Sequence, residues 1–195
     1  MNDLDLDALT TALQIAEVDA DATGWGDEST LVFRVVGDQR NPQLQFLLRT
    51  EEYPVAAVDG WIADGLGMGD DPQVFGVAAL SEAWRHLNDD ELRVAMPEAF
   101  DALMVLDGQD PLEVWAQAAG TFRSRTRPRD MPDHLRAEVR VAVCLLRDGT
   151  LVQIVRDRGS GEVIATDLSD LAELPGNTYM PHALMRLLAA PGCDD

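Results

Sequence analysis

Asp19, Asp21 and Thr23 alternate in the stretch DADATGWGDES, residues 19–29, and Gly24 follows them. Oxygen ligands at positions one, three and five with a glycine at six are how a calcium loop begins. The second half departs from that chemistry. Position eight is Gly26 where an apolar residue belongs, and position twelve is Thr30 in place of the bidentate glutamate. A weak calcium site at the Asp19 loop stands as one reading, beside the plainer one of a helix end followed by an Asx/Gly turn.

A second pattern lies in FRSRTRPRDMPDH, where Arg123, Arg125, Arg127 and Arg129 alternate with small residues or proline. On an extended segment, such guanidinium groups can grip carboxylates or phosphates, or they can pair with acids of their own surface. Trp115 and Met131 are apolar positions near the strip. The candidate partner-binding residues are therefore Arg123, Arg125, Arg127, Arg129 and Trp115. No aromatic residue interleaves the arginines, as a platform for single-stranded nucleic acid would require.

Catalytic inventory is thin. The chain contains no lysine, which removes P-loop, Schiff-base and kinase-type chemistry. Ser160 stands in a turn sequence, Arg-Gly-Ser-Gly-Glu, without the strand-turn-helix frame of a hydrolase elbow. His86, His134 and His182 are each isolated, so only folding can bring one to a carboxylate or to Cys144. Cys144 and Cys193 form no CxxC or zinc-spaced cluster. No catalytic, cofactor-binding or metal-binding residue is assigned, and no cofactor is expected. A pocket assembled from distant histidines and carboxylates, serving an enzyme or small-ligand binder, is the alternative to a non-enzymatic protein.

The 195 residues carry 46% hydrophobic and 26% charged side chains and a net charge of −20, with all 15 basic residues arginine and aspartate well ahead of glutamate. That apolar content belongs to a folded domain, and the length suits one core. A field this negative repels phosphates and anionic lipid heads, so nucleic acid and membrane surfaces are disfavoured while neutral or basic partners are favoured. The N-terminal MNDLDLDALT has neither the positive charge nor the apolar core of a secretory signal, and no run approaches the ~20 residues that span a bilayer. A cytoplasmic location is expected.

The elements that would position these groups follow from periodicity. Leu6, Leu9, Leu13 and Ala16 mark a helix over 4–18. TLVFRVVG and PQLQFLLR read as a hairpin across a loop of moderate length, and Val58, Trp61, Ile62 and Leu66 as a short helix. After the GLGMGDDP break, Val74, Val77, Leu80, Ser81, Trp84 and Leu87 predict another helix. ELRVAM is helix-like, ALMVL reads as a buried strand, and PLEVWAQAAGTF as a helix. Residues 123–133 form an exposed, arginine-rich connecting segment. AEVRVAVCLLRDGTLVQIVRDR then places Asp148-Gly149 between two β-rich runs, a strong hairpin signal. EVIATDL adds a strand, and Met180, Leu184, Leu187 and Leu188 give a closing helix one apolar face.

The order GWGDESTLVFRVV, MPEAFDALMVL, AEVRVAVCLLRDGTLVQIVRDR, YMPHALMRLLAA resembles a group of small, acidic, lysine-poor actinobacterial proteins of uncharacterised function. The resemblance implies an intracellular protein whose missing lysine reflects codon composition, with Trp25, Glu138, Arg140, Arg147, Asp148 and Gly149 as its carried-over positions. The expected architecture is a single α+β domain over 1–195, with a mainly antiparallel sheet carrying helices on one face. The expected function is non-enzymatic binding of another protein, as a regulator or chaperone-like module, with a basic partner or as a homodimer.

Overall fold

The computed structural model describes residues 5–22, 29–38, 40–51, 54–69, 71–103, 110–157, 161–173 and 179–192. In chain order the elements are α1 (Leu6–Ala22), β1 (Thr30–Asp38), β2 (Asn41–Thr50), α2 (Pro54–Ala63), β3 (Val74–His86), α3 (Asp89–Ala95), α4 (Pro97–Leu103), α5 (Pro111–Arg125), β4 (Arg136–Leu146), β5 (Thr150–Asp157), β6 (Val163–Asp170) and α6 (Tyr179–Ala189). The strands form one antiparallel sheet in the order β2-β1-β3-β4-β5-β6, so the fold class is α+β, as the sequence indicates. Contacts divide the chain into two compact units, 1–82 with 140–195, and 83–139.

In the first unit the helices pack on both faces of the sheet, where the sequence suggested one. Leu9 and Leu13 of α1 meet Leu31, Phe33, Leu80, Cys144 and Ile154 on one side. Val58 of α2 and Leu184 and Leu187 of α6 meet Val32, Val77, Val143 and Leu145 on the other. Strands covered twice are apolar on both sides and read as nearly continuous hydrophobic runs. That is also why the stretch from Val74 is β3 and not the predicted helix: its residues alternate between the two cores, and an unbroken apolar run satisfies helical spacing by accident. The two hairpins are tight. β1 and β2 pair from Thr30↔Thr50 to Asp38↔Asn41, closer than the moderate loop expected. Gly149 follows Asp148 with φ of +91°, a conformation that glycine adopts without steric cost.

The glycine-rich break after α2 caps α6. Met68 and Gly69 donate their N–H groups to the carbonyls of Leu187 (3.2 Å) and Ala190 (2.6 Å), satisfying oxygens that a helix end leaves without partners. A Cβ at Gly67 would collide with the Ala190 and Pro191 carbonyls, and one at Gly69 would lie 2.7 Å from the Ala189 oxygen. Arg147 holds the loop from its other side. Its guanidinium donates to the carbonyls of Val74 (2.6 Å), Met68 (2.5 Å), Asp71 (3.1 Å) and Gly69 (3.3 Å).

The second unit is built on Leu87, Leu92, Trp115, Ala119, Met131 and Leu135. Asn88 caps α3 reciprocally with Glu91, the capping-box arrangement that satisfies two otherwise unpaired amides. The predicted strand ALMVL does not form at its start: Ala102 and Leu103 belong to α4, led by Pro97 at a first-turn position that suits proline. Residues 104–109 lie outside the described residues.

Candidate functional site

The arginine strip is not one extended segment. Arg123 and Arg125 sit in the last turn of α5, and two short 3-10 turns, Pro128–Asp130 and Asp133–Leu135, follow. Cations at a helix C-terminus complement the helix dipole, which gives these two a local reason to be helical. Arg123 is committed within the unit, pairing with Asp89 at 2.6 Å and donating to the Leu87 carbonyl at 3.3 Å. Trp115 is buried, its indole N–H donates to the Asp89 carbonyl at 2.9 Å, and Phe100 meets it edge-on at 5.4 Å. Met131 is buried as well, while Arg125 and Arg127 are exposed. The side chain of Arg129 lies outside what is described.

The same unit holds a bidentate pair, Arg85 to Glu91, with both N–O distances 2.6 Å. The hydrogen bonds from Arg85 are the main reason the Glu91 carboxyl titrates below its ordinary value, with the Asn88 amide adding to them and burial opposing. A depressed carboxylate contributes stability above its unfolded value and loses it as pH falls through the folded one. Glu91→Gln is expected to speed amide exchange in α3 by several-fold at pH 7, a cost of roughly 1 kcal/mol for a pair this exposed. The difference from wild type should shrink as the pH drops below the ordinary carboxylate range, which hydrogen exchange between pH 7 and pH 3 would show.

The other chemical candidates are separated by the fold. Cys144 is sealed in the core, where burial pushes its thiol up to about 12. His86 shares a hydrogen bond with the Thr126 carbonyl (3.0 Å), His134 is exposed in a 3-10 turn, and His182 lies on α6. Helix α1 runs through Asp19 and Asp21 to Ala22, where a calcium loop would already have begun, and residues 23–28, Trp25 included, lie outside the described residues. No cluster of three His, Cys, Asp or Glu able to hold a metal occurs among the described residues. Arg147, Asp148 and Gly149 serve the loop and hairpin described above. Glu138 is exposed on β4.

Two features on the α1 face of the first unit were not legible in advance. One is a buried ionic cluster. The apolar stripe of α1, Leu9 and Leu13, ends in Glu17, and on β3, β4 and β5 the stripes facing it end in Glu82, Arg140 and Arg156. Period-two alternation puts Leu80 with Glu82, Ala142 with Arg140 and Ile154 with Arg156 on that one face. Arg140 lies 3.6 Å from Glu17 and 3.9 Å from Glu82, and Arg156 lies 2.9 Å from Glu17. Four charges, two of each sign, thus fasten α1 to three strands.

The second feature is an apolar groove of about 580 Å³ on the opposite flank of α1. Leu31 and Phe33 of β1 and Leu44 and Phe46 of β2 line it on the sheet side, and Ala12, Ile15, Ala16 and Asp19 on the helix side. Ala12 and Ala16 are one helical turn apart, and their small side chains leave the hollow. Ile15 and Phe46 stay 58% exposed, although Phe46 packs edge-on against Phe33 at 6.0 Å. Arg49 stands at one end of the groove and also borders a second hollow beside α2.

No helix among the described residues is long and apolar enough to cross a membrane. Compared with protein families, with curated proteins and with solved structures, the chain matches none.

Proposed function

We propose that the protein is a non-enzymatic, cytoplasmic binding module that takes up an apolar segment of a basic partner protein in the groove between α1 and β2. The observation that carries this reading is the groove itself: open, walled mainly by apolar side chains and rimmed by exposed Ile15 and Phe46. Its volume falls in the range of sites that recognise ligands, and large apolar side chains left in water around a hollow mark interaction surfaces. The net charge of −20 adds long-range attraction for a cationic segment and repels acidic ones.

The test is selection of a displayed library of random ten-residue peptides on the wild-type protein, with counter-selection on Phe46→Ser. Enriched peptides should be apolar with net positive charge, bind Phe46→Ser at least tenfold more weakly, and weaken as salt rises from 50 to 500 mM. Phe46 is largely exposed, so its loss should move the melting temperature by only a few degrees. Enrichment that is acidic, or indifferent to Phe46, would remove the groove from the function.

A further inference from the structure

The groove reading leaves open how a partner chain lies in it, and the sheet edge beside it supplies an answer that rests on that reading. Among the described residues, strand β2 pairs with β1 on one side and terminates the sheet on the other. Such an edge presents a row of backbone donors and acceptors, and proteins normally guard it with charge, proline, bulges or short length. The far edge of this sheet follows that practice: β6 carries the exposed Asp170. Strand β2 follows it less fully, with Pro42 at its start, a register irregularity that leaves Leu47 unmatched opposite Val32 and Phe33, and Arg49 near its end. From Asn41 to Leu48, NPQLQFLL, there is no charged residue at all, in a chain where 26% of residues are charged. Its ten residues are also long for an edge.

The side chains of this strand match the backbone. Leu44 and Phe46, two apart, both line the groove, as do Pro42, Gln43 and Arg49, while Gln45 between Leu44 and Phe46 is exposed and outside the lining. A strand laid along β2 would alternate in the same way. Every second side chain would stand over the groove beside Phe46 and Ile15, and the others would face the opposite side.

We propose that the partner segment is bound by strand addition: an extended peptide pairs with the open edge of β2, extends the sheet by one strand, and places alternate apolar side chains in the α1 groove. Main-chain pairing supplies affinity and the groove supplies selectivity, the division of labour of β-augmentation. The occupant is a cationic segment of another protein. A second copy of this chain would bring a further charge of −20 to the same edge, and like fields oppose association at low salt.

The peptides selected on the groove decide the mode. Strand addition predicts apolar residues at every second position, and slowed amide exchange in Gln43–Leu48 when the best peptide is added. It also predicts a position-dependent response to N-methylation of that peptide, which removes N–H donors and leaves side chains in place. Methylation of one alternate set should weaken binding at least thirtyfold, and of the other set much less. Apolar residues at helical spacing, or N-methylated peptides that bind as well as the parent, would overturn strand addition while the groove reading survives. Failure to enrich any Phe46-dependent peptide would overturn both. Sedimentation of the protein alone completes the test: a monomer at 50 mM salt is expected, and a dimer whose formation protects the β2 amides would assign the edge to a second copy.

Discussion

Replacing Arg140 by methionine should lower stability by about 3–5 kcal/mol, the cost of removing one partner from a buried ion pair, and the melting temperature by about 10 °C for a chain of this length. The size comes from what the substitution leaves behind. Methionine fills much of the arginine's apolar volume, so little cavity forms, but Glu82 and Glu17 lose a cation that lies 3.9 Å and 3.6 Å from them. Both carboxylates are at most one-tenth exposed at the side chain, so water replaces the lost charge poorly. A double-mutant cycle separates this from lost packing. Glu82→Gln alone should destabilise, yet combined with Arg140→Met it should recover at least 1 kcal/mol, because no second carboxylate is then stranded. If the two substitutions simply add, the ionic cluster is not what fastens α1, and its residues act as independent packing.

The pattern behind that cluster was present in the sequence but could not be read from it. Leu13 and Glu17 are four apart on a helix, and Leu80 with Glu82, Arg140 with Ala142, and Ile154 with Arg156 are two apart on strands. Each pair taken alone is an apolar stripe reaching water. Only the strand order β3-β4-β5 under α1 shows that the four ends meet, and strand order is a long-range property. Local signals did better where local physics decides. The Asp148-Gly149 hairpin, the β1–β2 pair, and helices α1, α2, α5 and α6 all follow from turn chemistry or period. At β3 the miss has a physical cause, that burial on two sides erases period and hides a strand inside an apolar run. Trp115 looked available to a partner because its place in a small core of its own depends on residues distant in sequence. The groove has yet another origin. Ala12 and Ala16 look like ordinary helix formers, and their smallness becomes a hollow only where Leu31, Phe33 and Leu44 stand opposite.

Arg147 gives the second large effect. Arg147→Ala is expected to destabilise by about 2–4 kcal/mol, since hydrogen bonds from a charged donor contribute more than neutral ones and four carbonyls lose the same charged donor together. The carbonyls of Met68, Gly69, Asp71 and Val74 converge on one guanidinium, a demand that its planar, multi-donor head can meet. A lysine ammonium is a compact charge with three donors and cannot span the same oxygens. Arg147→Lys should therefore recover less than half of the loss in urea unfolding, although it restores the charge completely. The damage should also travel. The loop that Arg147 holds is the one whose amides cap α6 through Leu187 and Ala190, so amide exchange should quicken at Met68, Gly69 and the last turn of α6 together. The interior of β4 should be little affected. Full recovery by lysine, or exchange confined to the loop, would mean that Arg147 acts by charge alone and that α6 ends without help from Met68 and Gly69.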